Sequence, residues 1–194
     1  MELPSASNDG GTGGGTGSSD LPIGRHSSSG FGLIRWLICV PVPDRKPPRL
    51  AADDRTVLCG LLRYQRDSFV RKLRGVDDRA ARTSPVGSGT TLLWLAMHMA
   101  QAEQTWIVKR FAGRAVPGEL LTEPTSVADA IALYEQTTAL VDGIIAAASL
   151  DELCCDDDPP VNLRWILAHL LEETARHAGH VDILRELIDG MTGR

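Results

Sequence analysis

Four stretches of about twenty residues each repeat their apolar side chains at the spacing of an α-helix. A helix of this kind must bury its apolar stripe, and four of them can do so by packing together as a bundle. We find no stretch with the alternating pattern of a β-strand and no internal repeat. The sequence therefore predicts an all-α fold, a four-helix bundle, with helices at residues 53–74, 90–111, 125–148 and 162–189.

Capping residues mark the ends of these predicted helices. Asp53 or Asp54 can cap the first helix, and Gly75 follows its last turn. Asn162 is expected to cap the fourth helix and Gly190 to end it. Between the long helices the sequence predicts a short helical turn at 77–82 and loops at 84–89, 113–124 and 151–160.

Residues 1–50 differ in composition from the rest of the chain. Residues 1–30 are rich in Gly, Ser, Thr and Asp, which bury too little apolar surface to offset the entropy of ordering. An apolar run at 31–42 is too short to span a bilayer and lies far from the N-terminus for a signal peptide. We expect a disordered leader at 1–50, rich in Gly, Ser and Pro, and a bundle domain at 51–190. Export of this leader and a mis-assigned start of translation stay open as alternatives.

Composition narrows the class of protein. The apolar fraction of 43% and the charged fraction of 23% are ordinary for a globular protein. The net charge is −5 and no dense Lys/Arg stripe is present, so nucleic acid is not an expected partner. No apolar run reaches the roughly 20 residues that a membrane span requires, and no membrane partner is expected. The four cysteines show no CxxC spacing and no scaffold density, which indicates a reducing cytoplasm.

The predicted fourth helix carries most of the residues that can bind a metal. At about 100° per residue, His169, Glu173, His177 and His180 fall within about 80° of one another on one face. Imidazole nitrogens and carboxylate oxygens can all donate a lone pair to a divalent cation. Glu173 and His177 are four positions apart and leave the helix as neighbours. This pair can hold one cation if a third ligand comes from another element.

A second helix offers that ligand, and a simpler alternative remains. His98 lies in the middle of the predicted helix at 90–111, with Glu103 about 140° round the axis from it. His98 is the natural third ligand. In the alternative, Glu173 pairs with Arg176 and the histidines are ordinary residues of the core or its rim. The pattern alone leaves both open.

Several motifs resemble those of the DinB/YfiT-like superfamily. They are SGTTLL at 88–93 with HMA at 98–100, NLRW at 162–165, and EETARHAGHVDILRE at 172–186. Within the superfamily they look closest to an actinobacterial branch of unknown function, the mini-circle proteins. The resemblance covers about residues 51–190, and the leader has no counterpart.

The resemblance implies a DinB-like four-helix bundle with a long crossover connection and a divalent metal held by three side chains. Many members use three histidines, the last two spaced as HxxxH. Here Glu173 replaces the first of that pair, which is similar to mycothiol-dependent maleylpyruvate isomerase-like members. The ligands carried over are His98, Glu173 and His177, although a swap with a flanking histidine stays open. The residues expected around them, to orient a ligand or to meet the substrate, are His169, His180, Arg176 and Glu103.

The resemblance also implies a reaction class. Three protein ligands with an open fourth position are typical of a catalytic metal, whereas structural zinc sites are usually closed. Members of the family use low-molecular-weight thiols, so we expect a metal-dependent thiol S-transferase or related detoxification enzyme, with mycothiol as co-substrate and a small-molecule substrate. The alternative is a non-catalytic, dimeric bundle that holds metal or a small ligand. The ligand set suits zinc, nickel, iron or manganese, and a homodimer is expected from the family.

Overall fold

The computed structural model describes residues 45–156 and 158–192. Within them the chain forms five α-helices and no strand. A π-helix, Gln104–Phe111, continues the third of them, and a 3₁₀ turn occupies Gly118–Leu121. The α-helices are α1 (Asp54–Leu73), α2 (Asp78–Arg82), α3 (Leu92–Glu103), α4 (Val127–Ala147) and α5 (Leu163–Asp189). The all-α prediction is therefore confirmed.

Most of the predicted leader, residues 1–44, lies outside the described part of the chain. Its described remainder, residues 45–50, is exposed and has neither helix nor strand. The Tyr64 hydroxyl donates a hydrogen bond of 2.7 Å to the Arg45 carbonyl, which ties this segment to α1. None of the described helices combines the length and the hydropathy that crossing a membrane would require.

The helices begin and end where short polar side chains and a glycine permit. Asp53 and Asn162 each accept a hydrogen bond of 3.0 Å from the backbone N–H three residues later, which starts α1 and α5. Gly190 ends α5 with φ at 74°, in the left-handed region that favours glycine. These predicted caps are confirmed. The side chains of Thr91 and Ser126 cap α3 and α4 in the same way.

The second long helix departs from the regular α-helix predicted at 90–111. The α-helical part ends at Glu103, and the next eight residues are π-helical. At its end, the Ala112 N–H donates to the Ile107 carbonyl, five residues earlier, at 3.0 Å. Buried side chains recur four positions apart here, at Ile107 and Phe111. Over the single turn that separates them, this spacing suits either kind of helix, so the pattern could not separate the two.

The long helices pack around two hydrophobic clusters. α1 lies along α5, and α3 lies against both α4 and α5. Each large side chain buried in these clusters contributes about 1.5–3 kcal/mol relative to exposure. One cluster includes Phe69, Leu73, Leu95, Met99 and Tyr134, and the other includes Leu62, Ile107, Leu163, Ile166, Leu167 and Leu170.

One buried arginine links three helices through the core. The Nε and Nη2 atoms of Arg66, on α1, each donate to a Glu103 oxygen on α3 at 2.6 Å. Its Nη1 atom donates to Asp142 on α4 at 2.7 Å. Charge-assisted bonds of this two-pronged kind are the strong ones, and they leave the buried carboxylate with both oxygens satisfied. Glu103 thus fixes how α3 lies on α1.

Candidate metal centre

The candidate ligands lie in the seam between α3 and α5. His98 of α3 contacts Glu173 and His177 of α5, whereas Trp106, further along the chain, contacts His169, earlier in α5. The order of contacts reverses between the two helices, so they run antiparallel. Residues that are distant in the chain thereby face one another across a single seam.

The three predicted ligands converge on one point. Glu173 Oε1 lies 3.2 Å from His98 Nε2 and 3.1 Å from His177 Nε2. One ligand atom from each residue can be chosen such that all three lie within 4.8 Å of one another. The side chains are 33%, 15% and 12% exposed for His98, Glu173 and His177. The site is therefore sheltered but open to a small molecule.

Two aromatic contacts hold the imidazoles in place. The indole of Trp94, one turn before His98, stacks on its ring at 5.1 Å with only 3° between the planes. The rings of His98 and His177 meet edge to face at 4.8 Å. His180 lies one turn further along α5, where its Nδ1 is 3.2 Å from Nδ1 of His177. His98 and His177 thus turn Nε2 towards Glu173, and the opposite edge of His177 meets His180.

Arg176 also contacts Glu173, as the simpler alternative requires. Its Nη1 atom lies 3.4 Å from Glu173 Oε2, and its Nη2 atom binds Glu172. However, this contact uses Oε2, whereas Oε1 faces the two histidines. The ion pair with Arg176 and the cluster with the histidines are therefore compatible, because each occupies a different oxygen.

The protonation of the cluster suits metal binding. Burial acts to raise the pKa of Glu173, but hydrogen bonds from His98 and His177 and the nearby charge of His177 outweigh it, so the pKa is lowered. Burial lowers the pKa of His177, and the attraction of Glu173 only partly opposes this. An ionised carboxylate and a neutral imidazole are the forms that bind a cation.

Two of the residues expected around the ligands make their contacts elsewhere. The His169 ring stacks on Trp165 at 5.2 Å and meets Trp106 edge to face at 4.6 Å. Both oxygens of Glu103 are taken by Arg66. The structure therefore brings Arg176 and His180 to the cluster but engages His169 and Glu103 with other partners.

Trp94 is the residue at this site that the sequence reasoning did not include. It stands four positions before His98 on the same helix, a spacing that places the two side chains together. This four-residue spacing is the sequence signal that could have identified Trp94 as a neighbour of His98. The indole is 47% exposed, so packing in the core does not explain its position.

We compared the chain with known proteins, first by its structure and then by its sequence. A conserved protein from Enterococcus faecalis, known from a crystal structure, superposes with a TM-score of 0.52 at 18% identity. The match covers 72% of this chain and 99% of that one, and it supports the fold alone.

No curated protein matches the sequence. The profile of the mycothiol S-transferase family matches residues 57–190, from the first turn of α1 to the end of α5. The resemblance to the DinB/YfiT-like superfamily is thereby confirmed, and the chain belongs to the mycothiol S-transferase family.

Proposed function

We propose that this protein is a divalent-metal-dependent S-transferase that joins a low-molecular-weight thiol of the mycothiol type to a small electrophile. The observation that carries the proposal is the convergence of His98, Glu173 and His177 from two helices. The family to which the chain belongs supplies the thiol. Neither observation alone would be sufficient, because metal sites and helical bundles serve many functions.

The residues present fit a divalent metal. Two imidazole nitrogens and one carboxylate oxygen already point at a common space, and three ligands leave room for a substrate atom. A cation bound there supplies positive charge that lowers the pKa of a thiol and so makes it a nucleophile at neutral pH. Nitrogen and oxygen ligands suit zinc, nickel, iron or manganese.

The surrounding residues prepare the seam for a small thiol. Trp94 holds the His98 ring in one orientation through its flat stack. Arg176 is exposed and lies next to Glu173 Oε2, so its guanidinium can meet a carboxylate of the thiol while Oε1 of Glu173 still faces the two histidines. Trp165 is 47% exposed one turn before His169 and offers an apolar surface along the same helix.

The test measures metal content and thiol consumption on the same samples. Wild type, His98→Ala and His177→Ala are stripped with chelator, reloaded with each candidate metal, and assayed with mycothiol and an electrophile. We expect about one ion per chain and turnover in wild type, and loss of both in the variants. His169→Ala is the matched control and keeps its metal. Wild type that binds no divalent metal would end the proposal.

The alternative function is a non-catalytic bundle that binds metal or a small ligand and dimerises. Four exposed apolar side chains on α3 and α5 favour an interface, namely Trp94, Trp165, Ile183 and Leu187. Metal binding without turnover across a panel of thiols would support this alternative. Light scattering would test the expected homodimer, and cell fractionation the expected cytoplasmic location. The closer resemblance to actinobacterial mini-circle proteins stays a prediction.

A further inference from the structure

A cavity between α1 and α4 is lined by four arginines. It has a volume of about 280 Å³, and its walls include Arg45, Arg66, Arg71 and Arg74. The metal cluster lies between α3 and α5 and shares no residue with it. Four guanidinium groups around one space repel one another unless negative charge comes between them.

Two of these arginines are already neutralised by carboxylates. Arg66 is bound by Glu103 and Asp142 through all three of its nitrogens. Arg74 lies 3.2 Å from Glu135 in a pair that is exposed on both sides. The positive charge of Arg66 and Arg74 is therefore balanced within the protein.

Arg71 is different, because two of its nitrogens are buried without a partner. Nε and Nη2 are inaccessible to solvent, and neither makes a hydrogen bond to any described residue. A buried donor without an acceptor destabilises the folded protein, and a charged donor does so more than a neutral one. Tyr134, another residue of this cavity, has a buried hydroxyl that lies beside Arg66 and Thr174. Arg71 thus brings to the wall of the cavity a positive charge that no described carboxylate pairs with.

We propose that this cavity binds a phosphate group, either as free phosphate or as part of a small phosphorylated molecule. A phosphate offers several acceptor oxygens, which suit guanidinium forks that approach from different elements. Arg71 approaches from α1, and Arg45 approaches from the segment that Tyr64 anchors. The volume exceeds by several-fold the roughly 30 Å³ that one water occupies, so the cavity has room for an ion of this size.

One carboxylate at the cavity, that of Asp67, opposes the binding of an anion. This carboxylate borders the cavity one turn before Arg71, is exposed, and makes no ion pair with it in the structure. It repels an incoming anion, so Asp67→Asn should tighten phosphate binding. The opposite result, weaker binding, would show that Asp67 supports the site in another way and would count against the proposal.

Calorimetric titration at constant ionic strength tests the site. Inorganic phosphate and glycerol phosphate are compared with chloride on wild type, Arg71→Gln and Arg79→Gln. Arg79 is an exposed arginine on α2, outside the cavity, and is the matched control. We expect saturable phosphate binding in wild type and in Arg79→Gln, weakened about tenfold or more in Arg71→Gln through loss of charge-assisted bonds. If glycerol phosphate binds more tightly than inorganic phosphate, the ligand is a phosphorylated molecule. If inorganic phosphate binds more tightly, the ligand is the free ion.

A second readout guards against a purely structural role of Arg71. In chloride buffer, Arg71→Gln should unfold at the same temperature as wild type or higher, because it removes an unsatisfied buried charge. Phosphate should raise the unfolding temperature of wild type and leave that of Arg71→Gln unchanged. If Arg71→Gln fails to fold, Arg71→Lys keeps the charge without the fork and should still lose affinity. No phosphate binding to wild type, or equal binding to Arg71→Gln, would overturn the proposal.

Discussion

His98 and Glu173, 75 positions apart in the chain, bring Nε2 and Oε1 within 3.2 Å of each other. His177 approaches the same oxygen at 3.1 Å from the next turn of α5. A carboxylate oxygen shared by two imidazoles is the centre of the candidate site, and the first prediction concerns it.

Glu173→Gln should abolish tight metal binding while leaving the fold intact. The amide keeps the size of the side chain but loses the negative charge that a cation requires. We expect the metal affinity to fall by more than about 100-fold, beyond the effect of residues that only orient a ligand. Competition with a chromophoric chelator measures this. Glu172→Gln changes the neighbouring exposed carboxylate and should bind metal as wild type does; equal affinities in both variants would contradict the assignment.

Trp94→Ala should weaken metal binding without removing it. The indole keeps the His98 ring in one plane, and without it the ring gains rotational freedom. We expect a loss of about 10-fold, the low end of the effect of residues that orient ligands. Trp165 is equally exposed, at 47%, and stacks on His169 instead, so Trp165→Ala is the control. A similar loss in both variants would show a general effect on stability.

Arg66→Met should destabilise the bundle strongly. It leaves Glu103 buried without its partner, and breaking a buried pair on one side costs about 3–5 kcal/mol. Urea denaturation measures the change in the free energy of unfolding. Arg74→Met, at the residue that follows the end of the same helix, breaks the exposed pair with Glu135 and should cost less than about 1 kcal/mol. Replacing Glu103 by Met as well should recover part of the loss; no recovery would mean that the charge pair is not the cause.

Two glycines should respond to alanine with opposite signs. Gly190→Ala places a side chain at φ 74° and should cost about 1–2 kcal/mol, since alanine avoids the left-handed region. Gly143 lies within α4, and a Cβ there would meet no neighbour within 4 Å. Gly143→Ala should therefore stabilise the protein by about 0.8–1 kcal/mol. Thermal unfolding of both variants and wild type measures the two changes in stability. Destabilisation by Gly143→Ala would contradict the expectation that α4 has room for a Cβ at this position.

The helices could be predicted because their signals are local. Asp53, Asn162 and Gly190 act within one turn of the backbone they cap, and their roles are readable from adjacent residues. The π-helix could not be predicted, because the difference between hydrogen bonds to the fourth and to the fifth residue leaves the spacing of Ile107 and Phe111 unchanged.

The candidate site could be predicted only in part from α5 itself. A helical stripe shows that His169, Glu173 and His177 share a face, but not which neighbouring helix lies opposite each of them. The antiparallel run of α3 places His98 opposite Glu173, and Trp106 opposite His169. The sequence pattern makes His98 the natural third ligand because it is a histidine in the middle of another helix, and the family resemblance implies the same ligand. Glu103 shows the same limit, since its partner Arg66 lies on a helix that no local pattern connects to it.

The change from α-helix to π-helix after Glu103 divides the side of the seam opposite α5 into two parts with different helical geometry. His98 and Glu103 precede the π-helix and are fixed by contacts of their own, whereas Trp106 and Arg110 lie within it and meet each other at 4.4 Å. Its turn contains one more residue than the α-helical spacing, so deletion of one residue from this segment could restore a regular helix. Such a deletion would rotate Trp106 relative to His169 and Trp165 without moving His98. A change of length in this segment would thus reshape the Trp106 end of the seam while the His98 end stays in place.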